Sequence, residues 1–215
     1  MSEPFVLGIP TLCRHDLLRA CIDSALAGGH PPRLVFVVDN GGGFAHPDGR
    51  VRVVNPAENL GVARSWNLLH KLAGRLPLIL SNDDIRFHPE SCAAALACPA
   101  PFVALEGWAC FLQRDACWRR IGEYDEAFWP AYFEDNDYHH RMRVAGLPPV
   151  VNHPPAAVVH AGSATIAALP PADRAAVGYG FERNRVYYVR KWGGMPDRER
   201  FTVPFDGRPD PETRA

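Results

Sequence analysis

Residues 76–84 read Leu76-Pro77-Leu78-Ile79-Leu80-Ser81-Asn82-Asp83-Asp84, an apolar run that stops abruptly at two carboxylates. Apolar residues in unbroken succession predict a strand buried on both faces, here Leu76 to Leu80. Three upstream runs share that character: Phe5 to Ile9, ended by Pro10-Thr11; Leu34 to Val38, ended by Asp39-Asn40 and a triple glycine; and the shorter Val51 to Val54. Between them, Asp16 to Leu26 carries Leu17, Leu18, Cys21, Ile22 and Ala25 at helical spacing and is closed by Gly28-Gly29. Leu60 to Ala73 is helical again. Strand, helix, strand, strand, helix, strand of this kind predicts an α/β fold with a mostly parallel central sheet and helices on both faces. Ligands of such sheets bind beyond the carboxyl ends of the strands. Thr11, Asp39, Asn82, Asp83 and Asp84 all gather there.

The pattern changes downstream. A helix is expected over Pro89 to Ala97, strands over Phe102 to Leu105 and Trp108 to Leu112 around Gly107, and a short helix near Asp115 to Ile121. Aromatic-rich Tyr124 to Phe133 leads into Glu134-Asp135-Asn136-Asp137 and a helix reaching Val144. Val150-Val151 and Ala156 to Val159 read as short strands, the second ending at His160. Residues 172–192 read as a final helix, and the tail from Gly193 as irregular. There is no internal repeat.

Composition narrows the class. The 215 residues are 47% hydrophobic and 22% charged, as in a globular protein with a real core. Twenty-one prolines and 18 glycines fall short of the roughly 25–30% of low-complexity chains. Basic and acidic residues number 23 and 24, so no global field exists to hold a polyanion. Apolar stretches are far shorter than the roughly 20 residues of a membrane span. The N-terminus lacks a basic n-region, and the six cysteines form no Cys-x-x-Cys pair. Free, mostly buried thiols in the cytoplasm are the expectation.

Three clusters carry chemistry. Ser81-Asn82-Asp83-Asp84 presents hard oxygen ligands at a strand end, suited to Mg²⁺ or Mn²⁺ shared with phosphates; taken alone, it reads as a helix cap or Asx turn. Glu134-Asp135-Asn136-Asp137 places carboxylates at a helix N-terminus, where the helix dipole is a sufficient structural reason, while one of them is suited to accept a proton from a substrate hydroxyl. His160, followed by Ala161-Gly162-Ser163-Ala164-Thr165, reads as a surface or core histidine, with room beside it for a diphosphate. Trp66, Trp118 and Trp192 read as core aromatics. Gly41-Gly42-Gly43 lacks the spacing of a dinucleotide loop. Glu182 to Lys191, with four basic residues and one Glu, reads as a solvated helix face, or as a contact for phosphate or a membrane surface.

Order and spacing join these clusters. The series Ile9-Pro10-Thr11, Val37-Val38-Asp39-Asn40, Asn59-Leu60-Gly61 with Asn67, Leu80 to Asp84, Gly107, Phe133-Glu134-Asp135 with Asp137, and His160 resembles the family-2 glycosyltransferases of the GT-A fold. The resemblance covers about residues 4–165, and Arg183 to Tyr188 resembles a frequent downstream element. It implies a GT-A, Rossmann-like sheet plus a small acceptor-side subregion. The domain would be residues 1–170, with a nucleotide-binding half of about 1–84 and an acceptor half of about 85–170. Residues 171–215 would form a C-terminal helix and irregular tail packed on it.

The resemblance implies roles for individual residues. Pro10, Thr11 and Asp39 would meet the nucleotide, Asp39 at the base or ribose. Asn59, Gly61 and Asn67 would lie beside it, with Arg64 near phosphate. Asp83 keeps the last carboxylate of the Asp-x-Asp motif, whose first position is Ser81; Asn82 and Asp84 are accessory. His160 would complete a metal site for Mn²⁺ or Mg²⁺. Gly107 and Trp108 would shape the sugar and acceptor pocket. Asp135, with Glu134 beside it, would be the catalytic base, ionised at its ordinary pKa near 3.9.

The implied activity is inverting transfer from a nucleotide-diphosphate sugar to an acceptor hydroxyl on a saccharide, a lipid-linked saccharide or a small molecule. A hydroxymethylated nucleic-acid base would additionally need a local basic groove. The location would be cytoplasmic or peripheral at a membrane, with a homodimer left open. Two alternatives stand: a sugar-phosphate nucleotidyltransferase, disfavoured by the loop Pro10-Thr11-Leu12-Cys13-Arg14, and a non-catalytic nucleotide-sugar or glycan binding module.

Overall fold

The apolar runs form strands where the sequence places them: β1 (Val6–Thr11), β2 (Leu34–Asp39), β3 (Val51–Val54) and β4 (Leu78–Ser81). The computed structural model describes residues 3–148, 150–151, 158–162 and 171–210. The first four strands pair in parallel in the order β3-β2-β1-β4. β7 (Cys110–Gln113) runs antiparallel to β4 and to β6 (Phe102–Glu106), and β8 (Val150–Val151) adds in parallel beyond β6. Among the described residues, β7 is therefore the one reversed strand in a seven-stranded, mostly parallel sheet. Register positions the chemistry. Thr11 lies opposite Asp39, and Gly8 opposite Leu80, so continuing that pairing brings Asp83 level with Thr11.

Alternate strand residues part to two faces. Phe5, Leu7, Ile9, Val35, Val37 and Ile79 pack with α1 (His15–Leu26) and α3 (Ser91–Ala97). Val6, Val38, Leu78 and Leu80 pack with α2 (Gly61–Ala73), α4 (Asp115–Ile121) and α5 (Glu134–Val144). Each buried aliphatic side chain contributes about 1.5–3 kcal/mol, enough for this two-layered core to dominate the fold. Gly8 lets α2 approach, since a Cβ there would lie 3.1 Å from Leu78 and 3.3 Å from Leu69. The long α6 (Pro171–Trp192) forms a satellite cluster in which Tyr188 and Trp192 meet Phe128 and Phe133. No helix among the described residues is long and apolar enough to cross a membrane.

Several expectations need correction. β5 (Ile85–Phe87) escapes the sequence pattern because it is short and pairs only with β9 (Val158–His160) in a separate two-stranded sheet. Of the strand expected over Ala156 to Val159, residues 156–157 lie outside the described ones, and β9 includes His160. Ala27, in a right-handed conformation, caps α1 instead of the glycines; Gly28 is small because the Pro89 carbonyl approaches it. β7 begins at Cys110, since Glu106 to Ala109 close a turn through the Ala109 N–H and the Glu106 carbonyl. The tail contains one 3₁₀ turn at Pro204–Gly207. Trp66 and Trp192 are core residues, as expected. No disulfide joins the six cysteines, and burial pushes the thiol pKa of Cys21 and Cys92 up to about 12.

One buried polar network crosses the α2–α5 layer. Gln113 Oε1 accepts from His70 Nε2 at 2.7 Å and from Tyr124 at 2.9 Å, while Gln113 Nε2 donates to the Tyr138 hydroxyl at 2.6 Å. The His70 ring stacks on Trp118 at 4.1 Å. Burial lowers the His70 pKa from 6.5 to about 4. A lowered histidine pKa means that the unfolded chain binds the proton first, so stability falls as pH drops from about 6.5 toward 4, by roughly 3 kcal/mol. In urea titrations from pH 7 to 4.5, wild type should lose stability faster than His70→Gln. Parallel slopes would show that His70 does not titrate on unfolding.

Candidate active site

The carboxyl ends of β1, β2 and β4 collect one polar patch. The Thr11 hydroxyl donates to Asp83 Oδ2 at 2.7 Å, both side chains being buried. Ser81 turns inward: its hydroxyl donates to the Asn82 carbonyl and lies 3.8 Å from the Cys21 sulfur. Asp39 organises its own loop. Its Oδ1 accepts from Gly41 and Gly42 at 3.3 and 3.0 Å, its Oδ2 accepts from Phe44 at 2.9 Å, and His15 Nε2 lies 3.3 Å from Oδ1. The triple glycine thus serves a turn around a carboxylate: a Cβ on Gly41 would collide with the Leu12 carbonyl.

Residues of the second motif face inward as well. Asn59 Oδ1 accepts from the Gly61 N–H, and Asn40 Oδ1 accepts from the Leu60 N–H. Gly61 has φ +71° and lies so close to Trp129 and Pro130 that a Cβ would sit 2.6 Å from the Pro130 carbonyl oxygen. Asn67 is buried, with Oδ1 accepting from Tyr124 N–H and Nδ2 donating to the Tyr124 carbonyl and to Glu126. What Asn67 does here is tie α2 to the segment ahead of α5. Arg64 lies 3.4 Å from Glu126 on the surface. Trp108 packs among Phe102, Phe111, Trp66 and Tyr138, and the space above Gly107 is open.

The β5–β9 pairing sets Ile85 opposite His160, and the Ala161 N–H donates to the Asp84 carbonyl. It brings His160 Nε2 to 3.2 Å from Asp84 Oδ1. Both atoms are buried and neither makes a hydrogen bond. An imidazole nitrogen and a carboxylate oxygen left facing each other fit a divalent cation: adjacent ligands of an octahedral ion with bonds of about 2.1 Å stand about 3 Å apart. His160 thus meets Asp84, given only an accessory place in the sequence reading, while Asp83 engages Thr11. Ser163 and Thr165 lie outside the described residues. Among the described residues, no group of three or more His, Cys, Asp or Glu is placed to hold a metal ion, so Asp84 and His160 stand as a pair of candidate ligands.

Glu134 and Asp135 open α5 behind two consecutive left-handed residues, Tyr132 (φ 77°) and Phe133 (φ 74°). For bulky side chains that conformation costs roughly 1–2 kcal/mol each. Glu134 is 5% exposed, and its Oε2 has no hydrogen-bond partner. Burial, then the neighbouring Asp135 charge, push the Glu134 carboxyl well above its ordinary value. Burial also raises Asp135, against the Asn136 N–H that it accepts at 2.8 Å. The expectation of an ordinary Asp is corrected: desolvation, invisible in the motif, makes this carboxylate more basic. Asp137 is fully buried and spent internally. It accepts from Trp192 Nε1 at 2.8 Å and Arg141 Nε at 2.9 Å, and lies 2.5 Å from Lys191 Nζ.

No protein-family model and no curated protein matches the chain. Solved structures do. The chain is similar to the mannosyltransferase PcManGT from Pyrobaculum calidifontis in complex with GDP-Man and Mn2+, at 16% identity and a TM-score of 0.65, over 92% of this chain and 67% of that one. It is similar to the catalytic domain of Drosophila beta1,4galactosyltransferase 7 with xylobiose, at 14% identity and a TM-score of 0.55, over 69% and 64%. It is also similar to residues 1–349 of S. aureus TarS with UDP-GlcNAc, at 13% identity and a TM-score of 0.54, over 70% and 56%. The fold is that of the GT-A glycosyltransferases. The chain spans 67%, 64% and 56% of the lengths of these three structures.

The polar patch at β1, β2 and β4 lies at the carboxyl ends of the strands, where α/β sheets bind ligands. The sequence reading missed Asn184 and Lys191, which pack against residues 125–137. Their stretch of helix reads from sequence as a solvated face or a contact for phosphate or a membrane surface, yet both residues are buried. The signal was present in Arg183 to Tyr188, but only the packing shows what it meets.

Proposed function

We propose that this chain is an inverting glycosyltransferase that moves a sugar from a nucleotide-diphosphate sugar to an acceptor hydroxyl. The observation that carries the reading is the desolvated Glu134–Asp135 pair at the head of α5, in a GT-A frame whose strand ends present Thr11, Asp83, Asp84 and His160. Asp135 would take the acceptor proton as the acceptor oxygen attacks the anomeric carbon, and the nucleoside diphosphate leaves from the opposite face. Its raised basicity favours that transfer. Asp84 and His160 would hold a divalent ion, Mn²⁺ suiting the imidazole; such an ion supplies Lewis-acid stabilisation of the leaving diphosphate. Thr11 and the Asn59–Gly61 turn would border the nucleotide. The PcManGT structure was solved with GDP-Man and Mn2+, and the TarS structure with UDP-GlcNAc, which supports a sugar-nucleotide donor here.

A thermal-shift screen of UDP, GDP, dTDP and CMP sugars, with and without Mn²⁺, tests the reading. At a ligand concentration of 100 Kd, mass action adds about 2.7 kcal/mol, or roughly 5–10 °C for a chain of this size. One donor class should produce that shift, and Asp84→Ala or His160→Ala should remove its Mn²⁺-dependent part. A flat response to every donor would end the proposal.

A further inference from the structure

We propose that Asn184 is a positioning residue for the acid pair: from α6 it clamps the backbone that seats Glu134 and Asp135. The inference rests on the catalytic role proposed above for that pair. Tyr132 and Phe133 are consecutive bulky residues in the left-handed region, a conformation that persists only where the surroundings hold it. Asn184 is fully buried, and its Nδ2 donates to the carbonyls of Ala131 at 2.9 Å and Tyr132 at 3.1 Å, the two groups ahead of the turn. Its Oδ1 accepts from Arg183, which also donates to the Trp129 carbonyl.

The rest of α6 completes the bracket. The Phe133 ring lies 5.2 Å from that of Phe181 and 5.4 Å from that of Tyr188. Gly180 is close enough that a Cβ would stand 2.5 Å from Pro130 Cδ. From the opposite side, the Val62 N–H at the start of α2 donates to the Pro130 carbonyl at 2.8 Å. Residues 129–133 are therefore held between the donor-side turn and α6. Glu134 Oε2 has no hydrogen bond of its own, so the backbone sets its aim. An amide suits position 184 because one NH₂ serves two carbonyls without burying a charge; a carboxylate would turn acceptors against acceptors.

Asn184→Ala and Asn184→Asp test the clamp, Gly180→Ala disturbs the same bracket from a second point, and Tyr179→Ala, exposed on the same helix, is the control. Besides each other, the acid pair faces the titratable groups His139 and Tyr124 at Asp135 and Tyr132 at Glu134; all four variants leave these in place, and Asn184→Asp alone adds a carboxylate. The clamp variants should lower kcat about tenfold or more with donor KM within about twofold, which marks lost transition-state geometry. In Asn184→Ala and Gly180→Ala the acid limb of the rate profile should move to lower pH as the carboxyls gain water, and in all three clamp variants amide exchange over 131–137 should accelerate. Tyr179→Ala should change none of these. A loss of kcat that only tracks the folded fraction, with the acid limb unmoved, would overturn the positioning role. Exchange needs no turnover: unchanged exchange rejects the clamp, whereas faster exchange in a protein whose wild type transfers nothing keeps the clamp and rejects the function.

Discussion

Asp135→Asn should lower sugar transfer about 10²–10⁴-fold while leaving donor binding intact. The substitution keeps the shape of the side chain and the oxygen that accepts the Asn136 N–H, so α5 should start unchanged. It removes only the ability to accept a proton. Stability should not fall. A carboxylate whose folded pKa is raised is penalised when ionised, so its contribution declines as pH rises from its unfolded value through the folded one. At neutral pH the amide escapes that penalty, and the variant should melt at or above the wild-type temperature. The same shift fixes the sign of the pH profile: wild-type turnover falls on acidification through a pKa above the ordinary Asp range. Steady-state assays beside melting curves read both effects. An Asn variant that turns over at the wild-type rate would remove Asp135 from the mechanism.

Lys191→Met should cost about 3–5 kcal/mol, the largest stability loss expected from one surface-read cation. Lys191 Nζ lies 2.6 Å from Asp125 and 2.5 Å from Asp137, and all three are largely buried. Burial works to raise the Asp125 carboxyl, but Lys191 outweighs it and holds the group below its ordinary value. Removing the ammonium strands a negative charge that the Tyr187 hydroxyl and the Ala127 N–H then serve without a cation. Asp137 keeps Arg141 and Trp192, which limits its share of the loss. At roughly 2–4 °C per kcal/mol, the melting temperature should drop by about 10 °C. Adding Asp125→Asn should recover part of it, because the stranded charge goes with the lysine. A single variant as stable as wild type would show that α6 is not fastened through this ion pair.

The first half of the chain was readable because it is built from long apolar runs with polar ends. Four strands, two helices and the clustering of Thr11, Asp39 and Asp83 follow from buried parallel strands and from where such sheets end. The second half was harder for a physical reason. α5 buries Asp137 and His140 along with Tyr138 and Met142, so its periodicity looks polar. β5 spans three residues and owes its existence to β9, far along the chain. In the site, Asp39, Asn59 and Asn67 stood out as polar residues in the right order, but their committed hydrogen bonds depend on the loops that fold against them.

The sequence by itself determined the α/β class and the gathering of Thr11, Asp39 and Asp83 at the strand ends, because periodicity and strand-end chemistry are local. Tertiary structure decided that His160 meets Asp84, that Asp135 is desolvated, and that Asn184 and Lys191 of α6 are buried against residues 125–137. Those properties arise from residues 53–76 positions apart, such as Asp84 and His160, brought together by packing, and no local pattern encodes the burial that gives them their chemistry.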